Sequence, residues 1–279
     1  MKPLLKWAGG KTRLLPELLK YVPETYNKYI EPFLGGGALL FALKPTRAIV
    51  GDANKDLLKT YQAVQLTPTR IIDMLDIYKP QDSKAVFLEI CNILTEPNTG
   101  TNHERAAMFI YINHTCFNGL YRVNKAGSFN VPYGNYKNPA LYNASNLIKI
   151  SIYMRSHVLI DPTCTDYRTV LLDAKPGDFI YCDPPYHGGF TAYTAKGFTK
   201  RDQADLARIC SELAAKGCHI LASNSNTDFI RQTWSQYGCF NIHEVMASRS
   251  ISCKGDVRGK VKELIITNVK EKGHGNNAT

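Results

Sequence analysis

Short apolar runs, each closed by a polar or glycine-rich turn, set the rhythm of this chain. Tyr29-Ile30-Glu31-Pro32-Phe33 runs into Gly35-Gly36-Gly37 and an apolar helical stretch to Leu43. Ala48-Ile49-Val50-Gly51 ends in Asp52, and a helix is expected from Asn54 to about Gln65. Val158-Leu159-Ile160, Phe179-Ile180-Tyr181-Cys182, His219 to Asn224, Phe240 to Met246 and Glu263 to Asn268 read as further strands. Helices are predicted at Lys200–Lys216 and from Thr227 to about Gln236. Strand, glycine turn, helix, strand and acid in succession is how a nucleoside-binding crossover is written.

Other stretches break this rhythm. A loop from Lys6 to Thr12 should lead into a short helix from Lys11 to Val22. From Pro68 to Phe117 the periodicity is helical and offers no strand to the sheet. Between Phe117 and Pro139 the composition changes to Asn, Gly, Tyr, Lys and Pro, which predicts a hairpin or loop insertion. The eleven residues after Asn268 are polar and expected to be disordered. The pattern predicts one α/β sheet in two sequence-separated halves, 1–54 and 146–279, with residues 55–145 as a helical and loop subdomain. A parallel α/β sheet binds ligands at the carboxyl ends of its strands. The glycine turn, Asp52 and Asp183 all fall there.

Composition sharpens this picture. The 279 residues carry 34 Lys plus Arg against 24 Asp plus Glu, a formal charge of +10 that favours polyanionic partners. Eight cysteines are scattered without a Cys-x-x-Cys pair, several inside apolar runs, which argues against structural zinc and a disulfide framework. No histidine pair at helical spacing marks a metal site, so none is expected. The N-terminus has no uninterrupted apolar core, and no stretch approaches the ~18 apolar residues of a membrane span. A reduced, cytoplasmic protein is expected.

Asp183-Pro184-Pro185-Tyr186 places a carboxylate, a rigid carbonyl and an aromatic ring at the end of a buried strand. That set suits methylation of a planar amine, whose lone pair is delocalised into its ring. A carboxylate and a backbone carbonyl can accept its two N–H bonds and draw the nitrogen toward a tetrahedral shape. Two prolines fix the backbone and remove competing donors. A bare Pro-Pro turn is the structural alternative. Phe33-x-Gly35-x-Gly37 lacks the third glycine of the dinucleotide fingerprint. Asp52 could accept both hydroxyls of a ribose, or merely cap a helix. With Asp183 to Tyr186, S-adenosylmethionine fits better than NAD. Gly10-Lys11-Thr12 is no P-loop, because Leu5 stands where its first glycine belongs and no strand precedes it. Trp7-Ala8-Gly9-Gly10-Lys11 could lie over a cofactor, with Lys11 a donor or countercharge; Trp7 could equally be a buried anchor.

Lys6-Trp7-Ala8-Gly9-Gly10-Lys11, Glu31 to Gly37, Asp52-Ala53-Asn54, Phe117-Asn118-Gly119-Leu120-Tyr121-Arg122, Phe129 to Gly134 and Asp183 to Tyr186 follow one another in the order found in Dam-type DNA adenine-N6 methyltransferases of the α group. The chain resembles that family over residues 4–268. The resemblance implies a Rossmann-like methyltransferase sheet with an inserted helical and hairpin DNA-recognition subdomain. It implies methylation of adenine N6 in double-stranded DNA, usually at GATC, by base flipping and direct transfer from S-adenosylmethionine. Trp7, Lys11, Phe33, Asp52 and Asp183 would contact the cofactor, beside the turn of Gly35 and Gly37. Asp183 and Pro184 would hold the target amine, and Tyr186 would stack on the adenine. Asn118, Leu120, Arg122 and Pro132 fall in the recognition hairpin, Phe117 matches an aromatic that enters the DNA stack, and Lys6 matches a base-contacting lysine. Asn135 departs from an arginine found in some members. Ser248-Arg249-Ser250-Ile251-Ser252 resembles a family segment without an individual role. The hairpin's own chemistry agrees, since arginine can grip guanine, an aromatic can replace a flipped base, and Lys125 and Lys137 could meet phosphate. The absence of a Pro-Cys dipeptide disfavours methylation of a cytosine ring carbon. Methylation of another amine, in cytosine, RNA or a protein glutamine, and a noncatalytic DNA-binding role remain the competing readings.

Overall fold

The computed structural model describes residues 1–96, 99–124, 128–188, 197–248 and 260–272. Its seven strands are β1 (Tyr29–Glu31), β2 (Ala48–Val50), β3 (Val158–Ile160), β4 (Phe179–Cys182), β5 (His219–Ser225), β6 (Asn241–Ser248) and β7 (Lys260–Thr267). They form one sheet in the order β3-β2-β1-β4-β5-β7-β6. Strands β3, β2, β1, β4 and β5 run parallel, and β7 is antiparallel to both β5 and β6. From β1 the chain steps outward to β2 and then β3, and returns to place β4 on the other flank of β1. That reversal opens a crevice between the carboxyl ends of β1 and β4, where a doubly wound sheet takes its ligand.

Alternation along the central strands separates two apolar layers. Tyr29, Phe179, Tyr181, Leu221 and Ile265 face one core. Ile30, Ile180, Cys182, Ile220 and Ile266 face the other. Helices α8 (Tyr167–Leu171), α9 (Lys200–Ala215) and α10 (Asp228–Ser235) cover the second face through Val170, Leu206, Cys210, Ile230 and Trp234. The first face is continuous with the helices between β2 and β3: Leu57 and Tyr61 of α3 (Lys55–Leu66), Ile71 of α4 (Pro68–Tyr78), Phe87 of α5 (Lys84–Thr95), Ile110 of α6 (Asn102–Thr115) and Leu147 of α7 (Ala144–His157) belong to its core. The insertion therefore packs on the sheet through shared apolar contacts.

Helix starts follow their capping chemistry. The Asn54 side chain accepts the Leu57 N–H, and Thr101 with Glu104 and Thr199 with Asp202 form capping boxes. The helix expected from Lys11 to Val22 is corrected to three pieces: a 3-10 turn Lys11–Arg13, α1 (Leu15–Leu18) and a 3-10 turn Leu19–Tyr21. Pro16 lacks the N–H that would continue the first turn, and it sits at the start of α1 instead. The hairpin region has two isolated bridges, Cys116 with Tyr133 and Val123 with Phe129, in place of a ladder. Asn118 and Gly119 both take left-handed backbone angles, which interrupts pairing. Expected disorder after Asn268 fails for the first four residues, because the Lys272 N–H donates to the Lys20 carbonyl at 2.9 Å. Residues 273–279 lie outside the described part. Helix α2 (Ala38–Leu43) begins at Gly37, whose φ of +67° brings the chain out of the glycine turn.

Candidate active site

The glycine turn is built by its own strand partners. Leu34 N–H donates to the Gly51 carbonyl and Gly37 N–H to the Leu34 carbonyl, at 2.8 and 2.7 Å. Asp52, just past β2, accepts the Gly35 N–H at 2.9 Å and the Asn54 N–H at 2.8 Å, one on each carboxylate oxygen. Burial pushes the Asp52 carboxyl up to about 6, against the pull of those two N–H bonds. Trp7 lies over the turn: a Cβ on Gly35 would stand 2.7 Å from its ring. On its other side Trp7 stacks on Tyr121 of the insertion, with centroids 5.2 Å apart and planes 18° from parallel. Trp7 is partly buried, packing the N-terminal loop onto the turn.

Across the crevice, Asp183 leaves β4 toward the first apolar face, and its Oδ1 holds two partners. The Lys11 ammonium stands 2.8 Å away, and the Ser223 hydroxyl donates at 2.7 Å. Neither partner bonds Oδ2. Lys11 is itself buried, bonded to the Gly9 carbonyl, and lies 4.6 Å from the centroid of the Tyr186 ring, a cation–π contact. The Tyr186 hydroxyl donates to Glu263 Oε2 of β7 at 2.9 Å. Pro184 is buried between these fixed neighbours. Lys11, Asp183, Pro184 and Tyr186 therefore share one pocket wall, as their order along the chain predicted for the last three.

Sequence reasoning missed several members of this site. Phe33 stacks on Tyr167 of α8 at 5.3 Å and meets Phe198 edge-on at 5.8 Å, which makes an apolar aromatic box beside the turn. Tyr167 and Phe198 carried no sequence signal beyond apolarity. Ser223 and Glu263 carried one: each is polar within a buried strand. Glu31 is a third such case, 2 % exposed at the end of β1, and its Oε2 meets no hydrogen-bonding partner. Burial, with the negative charges of Asp183 and Asp52, holds its carboxyl well above the usual range.

A second group of expected residues gathers beside this crevice, on the loop after α6. Phe117 is 47 % exposed, and its N–H donates to the Pro132 carbonyl. Asn118 is exposed, with its N–H on the Tyr136 hydroxyl; Leu120 is half-buried. Lys6 arrives from the N-terminus and lies directly on Gly119, where an added Cβ would come within 2.4 Å of its side chain. Asn113 fastens Lys6 by a reciprocal pair of backbone bonds at 2.9 and 2.7 Å. Arg122 is tethered through its Nε to Asn130 Oδ1 at 2.7 Å and through Nη2 to the Asn130 carbonyl at 3.0 Å. Its Nη1 and the second Nη2 hydrogen take no part in that clamp. Lys137 is exposed; Lys125 and Arg249 to Ser252 lie outside the described residues.

A cleft of about 390 Å³ between Lys28, Arg47, Arg155 and Lys175 opens at the amino ends of β2 and β3, remote from every motif above. Among the described residues no cluster of His, Cys, Asp or Glu could hold a metal ion, and no helix is long and apolar enough to cross a membrane.

Comparison with known proteins fits this geometry. The family profile of the D12 class N6 adenine-specific DNA methyltransferases matches residues 7–251. A type II methyltransferase of Lactococcus lactis subsp. cremoris is 37% identical over 275 residues, covering 96% of this chain and 95% of that protein. Another, from Methanocaldococcus jannaschii, is 37% identical, with 96% and 99% covered. The DNA adenine methylase of Serratia marcescens is 33% identical, with 95% and 97% covered.

Glu31 generates a pH test of the site's interior. The folded Glu31 holds its proton to a higher pH than the unfolded one, so stability is lost as pH rises from the unfolded value toward the folded one. Glu31→Gln has no such proton to hold. Thermal unfolding of both proteins from pH 5.5 to 8.5 should show the variant gaining on wild type as pH rises; a constant difference would refute the buried neutral acid.

Proposed function

Because the chain belongs to the D12 class of N6 adenine-specific DNA methyltransferases, we propose that its β1–β4 crevice transfers the methyl of S-adenosylmethionine to a flipped-out adenine in double-stranded DNA, at GATC. The observation that carries this reading is the asymmetry of Asp183: Lys11 and Ser223 both hold Oδ1, so Oδ2 is left to accept an incoming N–H. A cytoplasmic location goes with a DNA substrate.

The residues present fit the cofactor. A glycine turn whose Cβ space is already filled by Trp7, an acid at the next strand tip and an aromatic box beside them match a nucleoside's backbone, ribose and base in turn. Phe33, Tyr167 and Phe198 would enclose its adenine. Asp52 would accept the ribose hydroxyls on its remaining lone pairs, with Gly35 and Gly37 allowing close approach. Lys11, Trp7 and Asp183 would line the amino-acid end. When bound, S-adenosylmethionine supplies a methyl on a positively charged sulfur.

Chemistry at the target is then a matter of aim. Asp183 Oδ2 and the Pro184 carbonyl accept the two N6 hydrogens and turn the nitrogen lone pair outward, while Tyr186 stacks on the base. The N6 lone pair would take the methyl as the methyl–sulfur bond breaks, its electron pair staying on sulfur to leave a neutral thioether, and N6 would then lose one proton to solvent; no covalent enzyme intermediate or metal is needed. Rate enhancement comes from positioning and from fixed acceptors in a dry site. Residues 55–145, with Lys6 from the N-terminal loop, supply the DNA contacts: Phe117 fills the gap left by the flipped base, and Lys6, Asn118, Leu120, Arg122 and Pro132 meet the site. Asn130 holds the Nε side of Arg122 and leaves the end of its fork for a guanine edge.

Three measurements test this. Purified protein with labelled S-adenosylmethionine should label adenine and not cytosine in duplex DNA, and Asp183→Ala should abolish transfer while keeping the fold; label in cytosine, RNA or protein alone would sink the proposal. For Asp52, ionised above about pH 6, cofactor affinity should weaken by about fourfold between pH 7.5 and 5.5 as the acceptor is protonated. Calorimetry on Asp52→Asn should show weaker binding without that slope, and an equal slope in both proteins removes Asp52 from the ribose. Arg122→Ala should lose about 1–3 kcal/mol of discrimination at one position of the site. Comparing kcat/KM on GATC and on each singly substituted sequence decides it: an equal loss on all of them makes Arg122 a backbone contact.

A further inference from the structure

Pro184 must present its carbonyl in one direction, yet no side chain of its own can fix it. The structure answers this with a relay of amides behind the loop. Gln203, in the first turn of α9, donates its Nε2–H to the Pro185 carbonyl at 2.7 Å. Its Oε1 accepts from Asn224 Nδ2 of β5 at 2.9 Å. Asn224 Oδ1 in turn accepts the N–H groups of His187 at 3.3 Å and Ser225 at 2.9 Å. Both amides are 1 % exposed.

The polarity of this relay is set at both ends. Pro185 offers only an acceptor, and what meets Asn224 Oδ1 is the N–H groups of His187 and Ser225, which can only donate. Neither amide can flip without setting oxygen against oxygen or N–H against N–H. The capping box of Thr199 and Asp202 holds the turn that carries Gln203, and the Ser225 hydroxyl donates to the His187 carbonyl at 2.7 Å. The loop is thus gripped on both sides of Tyr186, while Lys11 and Ser223 grip Asp183 before it. Pro184 lies between two clamped residues, with its φ restricted by its own ring.

We infer that Gln203 and Asn224 are positioning residues that set the direction of the Pro184 carbonyl through Pro185. The inference deepens the methyl-transfer reading and rests on it. Gln203→Leu keeps an apolar side chain at the position but removes the clamp, so the carbonyl is free to turn. A misdirected acceptor slows the chemical step itself; displacements of about 1 Å cost up to about 100-fold. Gln203→Glu supplies a rescue. As a neutral acid it can donate to Pro185 and accept from Asn224, whereas the carboxylate sets oxygen against the Pro185 carbonyl.

Single-turnover methylation of a GATC duplex, with enzyme and labelled S-adenosylmethionine in excess, separates rate constant from amplitude. Gln203→Leu should lower the rate constant 10- to 100-fold, with full amplitude and with cofactor and DNA Kd within about twofold of wild type. Gln203→Glu should approach wild type at pH 6 and fall toward the Leu variant at pH 9. Asp202 and Asp205 of α9, Arg168 of α8, Lys11, Asp183 and the imidazole of His187 are the other charged or titratable groups on the surrounding elements and are common to all three proteins, so rates are compared as ratios to wild type at each pH. A lowered amplitude with an unchanged rate constant in Gln203→Leu means a purely structural role and overturns the inference. So does a Gln203→Glu ratio that is flat with pH. If wild type itself transfers no methyl to adenine, the functional reading falls and this inference with it; if wild type is active and the variants keep its rate constant, this inference alone falls.

Discussion

The carboxylate of Asp183 is the point on which the architecture converges. It leaves β4 beside the switch point of the sheet, and its Oδ1 receives Lys11 from the N-terminal loop and Ser223 from β5. An unpaired carboxylate in such a crevice would be costly to desolvate, and a fully paired one would have nothing to offer a substrate. Loading both partners on one oxygen resolves that conflict: charge is compensated, and the second oxygen remains an acceptor. The arrangement requires Lys11, Asp183 and Ser223, from three separate chain segments, to reach one atom, so the sheet's register and the N-terminal loop must both be correct before the site exists.

Trp7 makes the same demand of the insertion. Its ring lies against the glycine turn and also stacks on Tyr121, which packs against Phe109 and Phe129. The loop that carries Phe117 to Arg122 is therefore not appended to the sheet but joined to the cofactor turn through a ring. Lys6, one residue away, is bonded by Asn113 of α6 and lies on Gly119. Trp7 and Lys6 thus pack the Phe117–Arg122 loop against the glycine turn, the two places to which the proposed function assigns DNA and cofactor.

Much of this was legible in the sequence where a period and a terminator coincide. Strands β1, β2, β3 and β4 are apolar runs ended by glycine or acid, so their places and the positions of Asp52 and Asp183 could be read directly. The N-terminal pieces could not, because Pro16 breaks a pattern that otherwise has helical spacing. Tyr167 and Phe198 were invisible because an aromatic that lines a pocket and one that fills a core look alike in sequence. Resemblance, not periodicity, brought Lys6 and Arg122 to the site. Polar residues in buried strands were the overlooked signal: Glu31, Ser223, Asn224 and Glu263 each occupy a position that the alternation assigns to the interior.

Gln203 shows how far that signal extends. Together with Leu206, Ala207, Cys210 and Leu213 it lies on the buried stripe of α9 at helical spacing, where an apolar residue would pack as well and cost less to desolvate. A buried amide tolerated there must have both its oxygen and its nitrogen bonded, and Asn224 and Pro185 supply those bonds. The same reasoning explains why the clamp is built of amides and not of charges. An ionised group behind the loop would alter the field at Asp183 a few residues away, whereas a neutral donor and acceptor pair fixes direction and leaves the local charge unchanged. Direction is what a poorly nucleophilic amine most needs from its acceptors, so the fold spends two buried polar side chains on the geometry of a backbone carbonyl.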